Sequence, residues 1–258
     1  MATGLQLGTL FMLGMSGGFL SGLLGIGGGI VMLPLLISLP QLTGFSIGLR
    51  PAVGITMLQS LSGSLSGMLI HRRHDVFDVP LALTVGVCAA AGSMGGALFS
   101  SLVSERCMAI LFAVMALTSL LLLLLPESGE LPSTDSTCPK RFPAASLLGG
   151  GVGFCAGIIG QGGAFIILPL LIHLLKVPVR TAIGTTVAVS FLSAAAGFIG
   201  KWSTGQVPLL WGVAVASGAL LGGQLGGMVS HRLSTITLRR ILFLVVAVSM
   251  LRIFAHVL

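Results

Sequence analysis

The sequence predicts an all-α polytopic membrane protein made of two inverted repeats. Each repeat holds a glycine-broken helix pair, re-entrant or discontinuous, and about three transmembrane helices. Three observations predict this. Of the 258 residues 55% are hydrophobic and only 7% charged, with a mean hydropathy of +1.10, whereas soluble domains carry about a quarter charged residues. The apolar residues fall into eight long runs, and three blocks of sequence occur twice in the same order.

The runs cover residues 5–39, 51–70, 79–104, 107–126, 144–175, 181–200, 202–230 and 241–258. At about 20 residues per crossing they account for roughly seven to ten spans or half-spans and leave no room for a soluble catalytic domain. The first ionisable side chain is Arg50, so the amino-terminal run lacks the basic head of a secretory signal and is expected to be retained. Between the fourth and fifth runs lies the one polar stretch, with Pro132 and Pro139. It divides the chain into repeat one (1–126), a polar cytoplasmic linker (127–143) and repeat two (144–258).

GFLSGLLGIGGGIVMLPLLI at 18–37 matches GFCAGIIGQGGAFIILPLLI at 153–172, at a constant offset of 135. RPAVGITMLQS at 50–60 matches RTAIGTTVAVS at 180–190, and GSMGG at 92–96 matches GQLGG at 223–227. Three blocks in one order indicate a duplicated unit. The first block of each repeat lies in the longest run, and a continuous helix of that length would be about 50 Å, too long for a hydrocarbon core of about 30 Å. The glycines at 25–29 and 160–163 are the expected breaks.

The basic residues choose the arrangement. With Arg72 and Arg73 inside, inverted repeats also place Lys140, Arg141, Lys176, Arg180, Arg232, Arg239 and Arg240 inside, and leave Arg50, Arg106, Lys201 and Arg252 outside. Parallel repeats would put only Arg72, Arg73, Lys140, Arg141, Lys201 and Arg252 inside. The excess of cytoplasmic Lys and Arg in real membrane proteins favours inversion. The net charge of +7 then points to anionic lipid and an anionic solute as partners, not to nucleic acid.

A broken helix aims free N–H groups and the positive end of a half-helix at whatever lies there. Gly25, Ile26, Gly27, Gly28 and Gly29, with Gly160, Gln161, Gly162 and Gly163, are therefore candidate anion cradles. For Gly92 with Gly96 and Gly223 with Gly227 close helix packing is the preferred reading. Arg50 and Arg180 recur at the same place in the two repeats, and a forked, permanently charged donor suits oxyanions. Two readings stay open for them: each holds an anion in one access state, or each is an anchor reaching the headgroups. Thr56 with Ser60, and Thr186 with Ser190, are four residues apart and share a helix face. They either donate to a solute or bond their own backbone.

Asp75, Asp78, Glu105, Glu127, Glu130 and Asp135 all lie in or beside loops, which argues against a carboxylate proton relay or sodium site. The five histidines fall near span ends and read as interfacial. Cys88, Cys107, Cys138 and Cys155 have no C-x-x-C spacing, and small buried side chains are the expected role, Cys88 and Cys155 lying inside apolar runs. GIGGG is not followed by the Lys-Ser or Lys-Thr of a phosphate loop, and no hydrolase or zinc-protease motif occurs. No enzyme, cofactor or metal is expected, and oligomeric state stays open.

The pattern G-x-x-x-G-x-x-G-x-G-G-G-x-x-x-x-P at 18–34, its partner at 153–163 leading to Pro169, and the R-x-A-[VI]-G-x-T blocks resemble the TauE/SafE, or sulfite exporter, family over nearly the whole chain. The resemblance implies a cell-membrane permease for sulfite, sulfoacetate or a related sulfonate, working by alternating access. The second turn departs from the first by Gln161 for Ile26 and Ala164 for Gly29, which singles out Gln161 as the solute-touching group. A passive anion channel and a non-transporting structural subunit are the competing readings.

Overall fold

The computed structural model describes residues 4–24, 28–42, 47–72, 79–125, 141–230 and 232–257. Among the described residues every regular element is helical, as apolar surroundings demand, because a helix satisfies its own backbone groups. Repeat one holds α1 (Gly4–Leu24), α2 (Gly29–Leu42), α3 (Leu49–Arg72), α4 (Val79–Phe99) and α5 (Glu105–Leu124). Repeat two holds α6 (Arg141–Ile159), α7 (Ala164–His173), α8 (Val179–Ser203), α9 (Leu209–Ser230) and α10 (Thr235–Val257). Helices α1, α4, α5, α8 and α9 are long and apolar enough to cross a membrane, and the protein is an integral multi-pass membrane protein.

The two longest apolar runs are each divided into two helices where the glycines lie. Gly25, Ile26 and Gly27 fall outside the described residues, as does the linker from 127 to 140. Helix α6 already begins at Arg141, two residues before the expected end of the linker. The break in repeat two is fully described. Gly160 and Gly163 adopt φ of 72° and 74°, left-handed values that glycine takes without steric cost. Helix α7 has only 10 residues, about 15 Å or half a hydrocarbon core. Chain re-entry at α5 is fixed by Ser104, whose hydroxyl accepts from the Cys107 N–H at 3.3 Å, with Glu105 favourably placed at the helix amino terminus.

The helices pack as two sets with equivalent partners. Helix α1 packs on α9 as α6 packs on α4, and α3 on α9 as α8 on α4, while α3 touches α8. Small residues let the backbones meet. A methyl group at Gly14, Gly18 or Gly22 would strike the carbonyls of Val215, Ala219 or Gly223, so α1 and α9 rise in the same direction. Gly149, Gly153 and Gly157 stand likewise against Val85, Ala89 and Ser93, making α6 parallel to α4. The pairs Gly86 with Leu192, Ser93 with Gly197 and Ala97 with Gly200 make α4 and α8 parallel. Gly54 beside Gln206, Gly212 beside Leu58, and Ser66 donating to the Leu220 carbonyl at 2.8 Å do the same for α3 and α9. Between α3 and α8 the order reverses, with Met57 at Gly197 and Val187 at Gly67.

Gly92 and Gly96 meet the backbone of Gly150 and Phe154, and Gly223 meets Ser66 and Gly63, so these glycines serve close packing as expected. Cys88 and Cys155 are half-buried and Cys107 exposed, less enclosed than predicted for the first two. A Gly18→Leu chain is expected to lose about 3 kcal/mol or more, since backbone cannot yield to a side chain as a rotamer can. Gly8, with nothing within 4 Å of its added methyl, provides the control. Thermal melts in detergent should show Gly8→Ala unchanged or stabilised and Gly18→Leu strongly destabilised.

Candidate functional site

The polar side chains of this apolar protein converge where the glycine turns meet the middles of α3 and α8. Helix α6 closes with the Gln161 N–H donating to the Ala156 carbonyl at 2.9 Å, and α7 opens with the Ile166 and Ile167 N–H groups on the Gly163 carbonyl. The Gly160 carbonyl, freed by the break, accepts from the Thr56 hydroxyl of α3 at 2.8 Å, and that hydroxyl also lies 2.9 Å from the Val53 carbonyl. Repeat two's turn is thereby tied to repeat one.

The close approaches show which side chains share the space. A methyl group added at Gly29 would lie 2.8 Å from Ser60 Oγ and 2.9 Å from Gln161 Cγ. One added at Gly162 would strike Ser190 Oγ. The end of the first turn, the second turn, Ser60 of α3 and Ser190 of α8 therefore adjoin. Gly28, at φ 66°, meets Gln59 and Ser21, and Gly197 meets Ser93 and Met57.

Five residues of this region, Ser21, Gln59, Ser60, Gln161 and Ser190, and two more on α4 and α8, Ser93 and Ser193, are at most 1% exposed. Each carries side-chain polar atoms with no hydrogen-bond partner among the described residues, and in both glutamines the whole amide is unpaired. Burying such a group unpaired costs about 1–3 kcal/mol. Seven such residues give the protein a polar interior at a cost in stability, unlike an ordinary core, where buried polar groups are paired. The cluster is closed to solvent in this conformation.

The predicted residues divide as follows. Gly28, Gly29, Thr56, Ser60, Gly160, Gln161, Gly162 and Ser190 are together at the cluster, whereas Gly163 faces the apolar Ala156, Val152 and Ile167. Thr186 sits beside it, but its hydroxyl bonds its own helix, 2.8 Å from the Ala182 carbonyl and 2.9 Å from that of Ile183. The two arginines are elsewhere. Arg50 is half-buried and donates to the Ser101 carbonyl at 3.3 Å and the Val103 carbonyl at 2.9 Å, just past the end of α4. Arg180 is exposed at the start of α8.

Sequence reasoning missed Ser21, Gln59, Ser93 and Ser193. A glutamine in the apolar run 51–70 was the available signal, because a polar amide in a span is costly and rarely idle. It also took Lys201 for an outer loop charge. Lys201 lies in the last turn of α8 and is fully buried. Its ammonium donates to Ser100 Oγ at 2.7 Å, the Ile158 carbonyl at 3.2 Å and Gln206 Oε1 at 3.2 Å. All three donors are used on neutral acceptors, and the carboxyl-terminal ends of α4 and α6, with their partial negative charge, offset the cation.

Fold and site together define a multi-pass helical membrane protein with a closed polar centre formed at helix breaks. Comparison with known proteins agrees. Residues 10–253 match the family model described as sulfite exporter TauE/SafE. The chain is 28% identical to the probable membrane transporter protein YunE of Bacillus subtilis, over 92% of this chain and 93% of that one. It is 31% identical to the probable membrane transporter protein YdhB of the same organism, over 90% and 94%. A probable membrane transporter protein of Methanocaldococcus jannaschii is 26% identical over 76% of this chain and 72% of its own. No solved structure matches. The chain belongs to the TauE/SafE sulfite exporter family of membrane transporters.

The Thr56 bond is open to test. Thr56→Val keeps the shape but leaves the Gly160 carbonyl unpaired, and should cost about 1–3 kcal/mol in a thermal melt. An unaltered melting temperature would mean that the bond does not hold the turn.

Proposed function

We propose that the protein is a secondary transporter that moves a small sulfur-containing anion, sulfite, sulfoacetate or a related sulfonate, by alternating access. The observation that carries this reading is the closed cluster where the turns meet α3 and α8, in which Ser21, Gln59, Ser60, Gln161 and Ser190 are buried with unpaired polar atoms. Gly25, Ile26, Gly27, Gly28, Gly29, Gly160, Gln161, Gly162 and Gly163 supply backbone, Ser60, Gln161 and Ser190 supply side-chain donors, and Thr56, its hydroxyl spent on the Gly160 carbonyl, holds the second turn beside them. Thr186 stands beside them with its hydroxyl bonded to its own helix. The anionic charge of the solute follows from the helix amino termini at the turns, and its sulfur from the family description.

The inverted arrangement of the repeats belongs to the same proposal. Its support is that α1, α3 and α9 run one way while α4, α6 and α8 run the other, so that each helix opposes its counterpart. Arg50 and Lys201 also gather at one end with the carboxyl end of α4. That end is held shut by Arg50, which ties α3 to the residues after α4. Its counterpart Arg180 carries no such bond among the described residues, and takes the equivalent hold on the end of α9 when the opposite end closes. Exchange of these two holds is the alternation. A passive pore would need a continuous wet path, which the closed cluster does not offer.

Proteoliposomes loaded with sulfite or sulfoacetate test the reading. The expected result is saturable uptake with counterflow, reduced about tenfold or more in Arg180→Ala and Gln161→Ala at undiminished yield of folded protein. Unchanged rates in both variants would remove these residues from the mechanism, and unsaturable flux would favour a pore.

A further inference from the structure

The duplication provides an internal control for each position of the site. At Gly163 of repeat two, an added methyl group would lie 3.0 Å from Ala156 Cβ, 3.4 Å from Val152 Cγ1 and 3.6 Å from Ile167 Cδ1. The corner is apolar and filled. Gly28 is the same corner in repeat one, at offset 135 and with nearly the same φ, 66° against 74°. There the methyl group would strike the Gly17 carbonyl and lie 2.6 Å from Gln59 Nε2 and 3.1 Å from Ser21 Cβ. Ser21 replaces Ala156, Gly17 replaces Val152, and Gln59 stands where repeat two has Val189.

We infer that repeat one carries an oxyanion subsite of its own, formed by the Ser21 hydroxyl and the Gln59 amide at the Gly28 turn, which repeat two has lost or never had. The two side chains flank one point, since a methyl group on Gly63 would lie 2.9 Å from Ser21 Oγ and 3.7 Å from Gln59 Nε2. Both residues are at most 1% exposed and none of their three polar atoms has a partner. Packing does not require their polarity, because repeat two fills the same corner with Ala156 and Val152, while in repeat one the Gln59 side chain lies in the space that Gly17 leaves. A ligand does require it, since a buried amide and hydroxyl left unpaired cost stability in its absence.

The chemistry of the corner selects the ligand. Helix α2 of 14 residues starts at Gly29, the residue after Gly28, so its amino terminus and positive dipole end lie at this turn, where an anion is favoured. A hydroxyl, an amide NH₂ and that helix end are donors without net charge, suited to the oxygens of a sulfite or sulfonate head. A sodium ion could use Ser21 Oγ and Gln59 Oε1 but would face the positive end of α2. The subsite adjoins Ser60 and Gln161 through Gly29, so a longer solute such as sulfoacetate lies with its sulfonate on repeat one and its remainder toward Gln161. This inference rests on the reading of the protein as an anion transporter and adds the pose and the recognising groups.

The test is equilibrium binding of radiolabelled sulfite and of sulfoacetate to the purified full-length protein, together with its melting temperature without ligand. Gln59→Met and Ser21→Ala should each raise Kd about tenfold or more, while the ligand-free melting temperature stays or rises because an unpaired buried group has gone. Wild-type Kd in both variants overturns the subsite. Weakened binding with a lowered melting temperature overturns it too, in favour of a structural role. Stabilisation by sodium, lost in the same variants with sulfite binding intact, assigns the corner to a cation instead. Wild-type protein that binds neither anion overturns the transport reading itself.

Discussion

A helix broken inside a hydrocarbon layer survives only if the backbone groups it frees find partners within the protein. In this chain the partner is Thr56. Its hydroxyl takes up the Gly160 carbonyl at 2.8 Å, and that one bond places the second turn against the middle of α3 from the other repeat. The glycines around it serve the same end. With Gly29 against Ser60 and Gln161, and Gly162 against Ser190, no side chain larger than hydrogen is accommodated, so the turns and the two central helices close on one point. The polar cluster is a consequence of that closure.

The rest of the architecture supports the point from outside. The contacts between α1 and α9 and between α4 and α6 are backbone against backbone, carried by Gly14, Gly18 and Gly22 on one side and Gly149, Gly153 and Gly157 on the other. Apolar attraction cannot drive association in lipid, so close packing of small residues has to. Helices α3 and α8 meet across the two sets, as α5 and α10 do across the repeats, and α3 and α8 carry Thr56, Gln59, Ser60, Ser190 and Ser193. Arg50 and Lys201 bind carbonyl and hydroxyl oxygens at one end of this contact, with no carboxylate among their hydrogen-bond partners. Such bonds can be exchanged for water at smaller cost than a buried ion pair, whose desolvation must be repaid in full.

Much of this was legible in the sequence for reasons that the structure makes plain. Apolar runs become helices because lipid allows nothing else, so ten helices follow from eight runs once the two longest are cut at their glycines. Ser60, Ser190 and Gln161 stood out in the sequence because each is repeated or conspicuously unrepeated. Gln59 and Ser21 were not, since a search for shared motifs passes over residues present in one repeat alone. They lie in the corner where the repeats differ most in polarity. Thr186 shares its face with Ser190, but helical periodicity says where a hydroxyl sits and not which oxygen it prefers; this one took its own backbone. The position of Lys201 at a span end concealed its burial, because a four-carbon stem turned inward and one turned outward look alike in sequence.

The measurement nearest to the central claim is thermal stabilisation of the detergent-purified protein by sulfite, sulfate, thiosulfate, sulfoacetate, taurine, carboxylates and phosphate. A ligand present at a hundred times its Kd should add about 2.7 kcal/mol. The account requires a selective shift with sulfite or a sulfonate that is absent from Gln161→Ala protein. Stabilisation by none of these anions, in protein that remains folded and monodisperse, would contradict an anion site at the meeting of the two turns.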